Sequence, residues 1–358
     1  MRIKTYNLTI VLVLIVGIRL ISRSTVLIET IYANSIYKAI IPPLSRLTGI
    51  FPFSLAEILI GLLVLWLLFE LIHGLMRRSR KQAKGILSSF TTFITVVGLL
   101  YLMFMGLWGL NYYRLSFAEM AGLDTSQIAI EELKHLGQSL VDQANQLRDE
   151  VEEDNDGVMR LENRPEVFDQ AVAGYDLLAD RYPRLEGQYG RAKGLLFSPL
   201  ISYTGMYGFY IPFTGEANVN TRVPDAMIPF SACHEMAHQR GIAREGEANF
   251  VGYLSCIANP HHDFQYSGTL LALTYVLNDI SGKDQELFAD LRDSLSPGVI
   301  RDLQEIREFG EKHRGLWSRI SSRINDIYLK ANSQSSGNRS YSGIVELLVA
   351  LHRMPPVK

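Results

Sequence analysis

The stretch HEMAHQRGIAREGEAN, His234–Asn249, decides how this 358-residue chain is read. On a helix, His234 and His238 stand one above the other on the same face, because four positions make just over one turn. Two imidazoles so placed can close on a single Zn2+ through nitrogens at about 2.0–2.1 Å. Glu235 lies roughly 100° further round the helix. That puts its carboxylate beside the metal, free to take a proton from water instead of ligating. A third ligand must return from elsewhere, so the helix has to stop. Gly241 stands where a C′ residue with left-handed dihedrals would stop it. The following REGEANFVGYL reads as a second helix that carries Glu245 and Glu247. These two acids point about 200° apart round the helix, so one of them faces the metal. Glu245 is the expected ligand and Glu247 the alternative. Asn249 follows Glu245 at i+4, where its amide could back the ligating carboxylate.

Upstream of the motif, KGLLFSPLISYTGMYGFYIPFTGEANVN (Lys193–Asn220) replaces helix formers with Gly, Tyr, Phe, Thr and Val. Its prolines bar a continuous helix, and strands are expected here. A strand from FYIPFTGEANVN could be the edge over the metal that pairs with an extended substrate, or a plain core strand. Earlier still, Ile130, Leu133, Leu136, Leu140 and Val141 recur at helical spacing, with Asp124 or Thr125 as cap. EEDNDG (Glu152–Gly157) lacks the position-twelve glutamate of a calcium loop and reads as a solvated linker. A second helix is expected from Pro165 to Tyr182. Downstream, helical patterns cover about 264–280, 284–295, 297–331 and 341–352, with SQSSGN (Ser333–Asn338) as a break. Charge develops on the carbonyl oxygen during amide hydrolysis, so a donor is needed there. Tyr341 is the candidate, with Arg339 beside it.

Such a site needs a compartment. Three N-terminal segments, about Asn7–Ile28, Leu55–Met76 and Ile86–Leu110, approach the roughly 20 apolar residues of a membrane span. Trp66, Tyr101 and Trp108 are interface-type aromatics. The first segment has Arg2 and Lys4 before an apolar run, as a signal peptide does, but no small-x-small cleavage site, and an uncleaved anchor is expected. RRSRKQAK, Arg77–Lys84, is a short basic loop without an acid and belongs in the cytoplasm. The N-terminus is then cytoplasmic too, while the loop Ser24–Ser54 and everything after Leu110 lie outside. The motif itself is flanked by charged residues and lies in no apolar run long enough to span a bilayer. The expectation is mainly α: three transmembrane helices (residues 1–111) followed by an extracytoplasmic, zincin-like α+β domain (residues 112–358).

A formal charge of −2 carries no nucleic-acid footprint. Two cysteines, Cys233 and Cys256, allow no metal cluster of their own, and Cys233 reads as a small buried hydrophobe.

HEMAH followed by EGEAN resembles the gluzincin-type zinc metallopeptidases, which combine HExxH with a downstream glutamate in an ExxA[DN] context. Membrane-bound CAAX-processing proteases share that plan. The resemblance places Glu245 in the ligand slot and Asn249 in the Asp/Asn slot. Here only six residues separate His238 from Glu245, fewer than in those families. PFTGEANVN, CHEMAHQRG and EGEANF in that order are also similar to an uncharacterised bacterial family of multi-pass membrane proteins. The expected activity is hydrolysis of peptides or envelope proteins at the membrane. The competing expectation is a non-catalytic receptor or assembly factor braced by zinc.

Overall fold

The computed structural model, which describes residues 2–76 and 83–354, is mainly helical with one small sheet. This is the expected class. The N-terminal part comprises α1 (Arg2–Ile21), α2 (Thr25–Gly49), α3 (Leu55–Met76) and α4 (Ala83–Leu107). On α3, Leu59, Leu62, Leu65, Trp66 and Phe69 are all more than half exposed, so the helix has no inward apolar face. A contiguous apolar surface of this kind marks contact with something other than water. Among the described residues no single helix is long and apolar enough to cross a membrane by itself. α1 and α2 pass that test as a pair bent by 98°.

The first expected span is therefore cut short at Ile21. Residues Ser22–Ser24 turn the chain, and the Ser24 hydroxyl accepts from the Leu27 N–H to start α2. The segment 24–54, expected as a loop, is helical from Thr25 to Gly49. It packs Tyr37 and Ile41 inward with exposures of 1% and 0%. The basic loop Arg77–Lys84, on which the orientation rests, falls at residues 77–82 outside the described residues.

The large domain is built, among the described residues, from α5 (Ile130–Arg148), α6 (Arg164–Ala179), a sheet, and seven further helices of nine residues or more. These are α7 (Ile228–Gln239), α8 (Glu245–Ala258), α9 (His262–Ser281), α10 (Gln285–Asp293), α11 (Pro297–Lys312), α12 (Leu316–Ala331) and α13 (Ile344–His352). The helix expected over 297–331 is two helices, because the chain breaks at His313–Gly315. α5 starts at Ala129, not at Asp124 or Thr125. The Glu132 carboxylate accepts from the Ala129 N–H, while Asp124 holds the Ser126 N–H in a local turn. Leu133, Tyr175, Phe250, Phe264 and Leu273 fill the core between α5, α6, α8 and α9. One polar knot is buried beside it. Asp302 of α11 accepts from Arg148 Nε (2.7 Å), the Tyr266 hydroxyl and the Met159 N–H (2.8 Å). In the EEDNDG run, Asp154 accepts from the N–H groups of Asp156 and Val158, which closes a tight turn.

The sheet holds β1 (Lys193–Gly194), β2 (Gly208–Ile211) and β3 (Glu216–Val219) in the order β1-β3-β2. β1 runs parallel to β3 and β2 antiparallel. β3 is buried along its length and β2 is an edge, so FYIPFTGEANVN supplies both the core strand and the edge strand. Glu216 of β3, 2% exposed, also joins the two parts of the molecule. Its carboxylate accepts from the N–H groups of Leu55 (3.0 Å) and Ala56 (2.8 Å) and pairs with Lys193 Nζ (2.5 Å). An anion is thereby placed at the positive end of α3.

Candidate metal centre

α7 starts with Pro229 in its first turn, where the missing N–H costs nothing. It ends as the sequence implies. Gly241, at φ +78°, donates to the His238 carbonyl (2.9 Å), and the Ile242 N–H reaches back to Ala237 (3.2 Å). That pair of bonds is a Schellman closure, which needs the left-handed residue. Tyr37 of α2 donates its hydroxyl to the Gln239 carbonyl (3.1 Å), satisfying another end group of the helix. α8 begins at Glu245, directly after this turn, which is why six intervening residues are enough to bring its first side chain back over α7.

Glu245 Oε2 lies 3.4 Å from His234 Nε2 and 3.5 Å from His238 Nε2. The three ligand atoms all lie within 4.8 Å of one another. Tetrahedral bonds of the length zinc makes to nitrogen and oxygen put neighbouring ligand atoms about 3.3 Å apart, so the cluster fits a cation of that size. His238 Nδ1 is 2.7 Å from the Ile242 carbonyl, which sets that nitrogen as the donor and leaves Nε2 to face the cluster. Glu245 Oε2 and Glu235 Oε2 are buried without a hydrogen-bond partner. Buried polar atoms are normally satisfied, and orphans gathered at one point suit a ligand. Among the described residues no other group of His, Cys, Asp or Glu could hold a metal.

Glu247 is paired with Arg244 Nη1 at 2.8 Å, so it is Glu245 and not Glu247 that joins the two histidines in the cluster. Asn249 does not back Glu245 as expected. Its amide donates to the Tyr275 hydroxyl (3.2 Å) and the Tyr341 carbonyl (3.0 Å), because its face of α8 packs on α9 and on the turn before α13.

The charges are arranged to opposite ends. Burial pushes the Glu235 carboxyl up to about 7 against the lowering influence of His234 and His238. Burial also raises Glu245, but His238 and His234 outweigh it and hold that carboxyl down to about 2. His238 is lowered by burial and lifted more by Glu245, to about 9. One carboxylate is thus held charged while its neighbour is poised to exchange a proton near neutrality.

A cleft of about 1620 Å³ opens over these groups. β2 forms one wall, lying so close that a Cβ on Gly208 would stand 2.7 Å from Glu235 Oε1. Tyr341, the candidate donor, lines the cleft, and its hydroxyl accepts from Asn325 Nδ2 at 3.3 Å. Burial raises this phenol well above its ordinary range. Arg339 is not among the residues that line the cleft. Trp108, read from sequence as an interface aromatic, is instead a wall of the site. It is 4% exposed and meets the His238 ring edge-on at 5.5 Å. Tyr328 of α12 was missed. Its hydroxyl receives bonds from Trp108 Nε1 and from the Tyr112 hydroxyl, both 3.1 Å, so its own proton remains for a ligand in the cleft. A tyrosine at helical spacing signals core packing, and nothing local in the sequence marks it otherwise. Cys233 and Cys256 are both fully buried, as a small hydrophobe would be.

Residues 32–349 match the model of a family described as "Protein of unknown function (DUF3810)", and the chain belongs to that family. No curated protein and no solved structure matches.

Proposed function

We propose that the protein is a membrane-anchored zinc metallopeptidase with His234, His238 and Glu245 as metal ligands and Glu235 as the proton-transfer residue. The observation that carries this reading is the convergence of the three ligand atoms within 4.8 Å, beside a buried, unpartnered Glu235 carboxylate. When bound, Zn2+ supplies Lewis acidity toward a carbonyl oxygen and toward water. The rest is done by the chain. The free edge of β2 pairs with an extended peptide and sets its scissile bond over α7. Glu235, poised near neutrality by burial, takes the proton of the attacking water and delivers it to the leaving amine. The hydroxyls of Tyr341 and Tyr328 lie in the same cleft and donate to the carbonyl oxygen as negative charge develops. Burial keeps both phenols protonated.

The exposed apolar surfaces of α3 and α4 support a membrane anchor. The proposed multi-pass topology, with the N-terminus cytoplasmic and the large domain extracytoplasmic, rests on the sequence alone, through its apolar segments and the basic run Arg77–Lys84. Zinc sites that only brace a fold normally close with four protein ligands. Three are present among the described residues, which favours an open, catalytic site over the zinc-braced receptor. The test is Glu235→Gln in the detergent-purified protein, with metal content by mass spectrometry and hydrolysis against a peptide library. The variant should retain the metal and lose hydrolysis by orders of magnitude. An equally active variant, or a wild-type protein that binds zinc and cleaves nothing, would sink the peptidase reading.

A further inference from the structure

α12 is amphipathic the wrong way round for a water-soluble domain. At about 100° per residue, Leu316, Trp317, Ile320, Ile324 and Ile327 fall on one arc of roughly a quarter turn. All five are exposed, from Ile320 at 40% to Trp317 at 66%. The opposite face, with Ser318, Ser322, Asn325 and Asp326, lines the cleft. The helix turns its polar side inward and its apolar side out.

We propose that this outward face of α12 lies in the headgroup region of an anionic bilayer, as an interfacial helix. Three observations select lipid as the occupant. The first is continuity with the anchor. Tyr328, at the margin of the stripe, packs edge-on against Phe104 of α4 at 6.3 Å and accepts from Trp108 just beyond that helix. One turn further along α4, Leu99, Leu100 and Met103 are exposed, so the stripe extends an apolar surface already present. The second is charge. Arg323 borders the stripe and Lys312 and Arg314 precede the helix. Arg314 and Arg323 also line the cleft, and none of the three side chains has an ion-pair or hydrogen-bond partner among the described side chains, as suits phosphate-bearing lipid. A second copy laid on the same stripe would bring those cations together. The third is Trp317, an amphipathic ring at the start of the helix, where a headgroup-level anchor is placed. A cleft walled by α12 and by Phe104 and Trp108 then opens at the bilayer surface, so that its substrates are chains held at or emerging from the membrane.

The inference rests on the reading of the N-terminal helices as membrane-embedded, and the two can fail separately. Cys233 and Cys256 are fully buried, so single introduced cysteines can carry a nitroxide in the full-length protein. Four variants suffice: Trp317→Cys and Ile324→Cys on α12, Leu65→Cys on α3, and Glu308→Cys on the exposed side of α11. Each is reconstituted into bilayers of phosphatidylethanolamine and phosphatidylglycerol. Power saturation then compares collisions with oxygen, which partitions into lipid, and with a water-soluble nickel chelate. The expected result is an oxygen-to-nickel ratio at 317 and 324 several-fold above that at 308 and below that at 65, as headgroup depth requires. If 317 and 324 match 308 while 65 reads as lipid, α12 is in water and the proposal falls with the anchor intact. If 65 also reads as water, the anchor and the proposal fall together. Labels at 317 and 324 that are shielded from both reagents would mean burial by a second copy or a partner protein, which also overturns it.

Discussion

Gly208→Ala puts the architecture of the site to a direct test, because it changes no ligand and no catalytic group. Gly208 lies on β2 opposite Val219, and a Cβ there would stand 2.7 Å from the Asn218 carbonyl oxygen and 2.7 Å from Glu235 Oε1. Each contact is about 0.7 Å short of ordinary van der Waals distance, which begins at 3.4 Å. Glu235 can swing aside, but the Asn218 carbonyl belongs to the buried strand β3 and cannot. Relief must therefore come partly from β2 moving away from its neighbour. Overpacking of this kind costs about 1–3 kcal/mol. In domains of this size each kcal/mol lowers the melting midpoint by roughly 2–4 °C. The displaced groups are, in the proposed mechanism, the substrate-pairing strand and the proton-transfer carboxylate. A misplacement on the order of 1 Å there costs about 10²-fold in rate. The expectation is a lower midpoint and about 10²-fold slower peptide hydrolysis at full metal content, since His234, His238 and Glu245 are untouched. Gly310→Ala is the control. Nothing lies within 4 Å of the added carbon in α11, and the change should stabilise by up to about 1 kcal/mol. A Gly208→Ala protein with wild-type midpoint and turnover would refute the placement of β2 over Glu235.

Glu245→Gln should lower zinc affinity by at least about 10²-fold, since an anionic ligand is lost, whereas Glu247→Gln should leave stoichiometry unchanged; equilibrium dialysis decides it, and the reverse order would hand the ligand role to Glu247. Asp302→Ala should destabilise by about 3–5 kcal/mol, because Arg148 is left buried beside it without that charge, and denaturant titration of the detergent-solubilised protein measures this. A loss below about 1 kcal/mol would mean that Asp302 does not organise α5, α9 and α11. Glu132 is held down to about 2, chiefly by its hydrogen bond from Arg353. A lowered folded-state pKa gives stability that is present above the ordinary carboxyl value of 4.5 and lost as pH falls toward 2. Wild type should therefore lose more stability than Glu132→Gln across that window, and parallel pH profiles would remove the contribution.

The parts of the site that could be read from sequence are those fixed by contacts only a few residues long. Helix periodicity placed His234 and His238 on one face, and Gly241 marked the turn that returns Glu245. Each step depends on neighbours within a helical turn or two, and the texture of Lys193–Asn220 marked the sheet for the same reason. What escaped depends on chain segments far apart. Trp108 reaches His238 across 130 positions and Tyr37 reaches Gln239 across 202. No local pattern distinguishes such an aromatic from one at a membrane interface. Asn249 was correctly placed on the face next to Glu245, yet its amide turned to Tyr341 and Tyr275, because the partners offered by α9 and the 337–343 turn lie outside any i, i+4 rule.

α12 shows a different limit. Its hydrophobic period is regular, and a regular period says that one face leaves water without saying for what. In a soluble domain the answer is the core, and the helical pattern over 297–331 runs through the break at His313–Gly315 without saying which way the face turns after it. Once the chain restarts at Leu316, the stripe has changed sides relative to the domain. Its polar residues are needed inward, where Asn325 holds Tyr341 and Ser318, Ser322 and Asp326 face the cleft. A cleft that is to receive a polar peptide backbone, as proposed, cannot be roofed by isoleucines without leaving that backbone's groups unsatisfied. The same helix then has only one direction left for Leu316, Trp317, Ile324 and Ile327, and that direction is away from the protein. Burying them there requires a second apolar phase, which the exposed faces of α3 and α4 require as well. A single bilayer plane that touches both satisfies the two demands at once, whereas a water-facing α12 would leave a large apolar arc solvated beside a polar one sheltered, the reverse of what hydration favours.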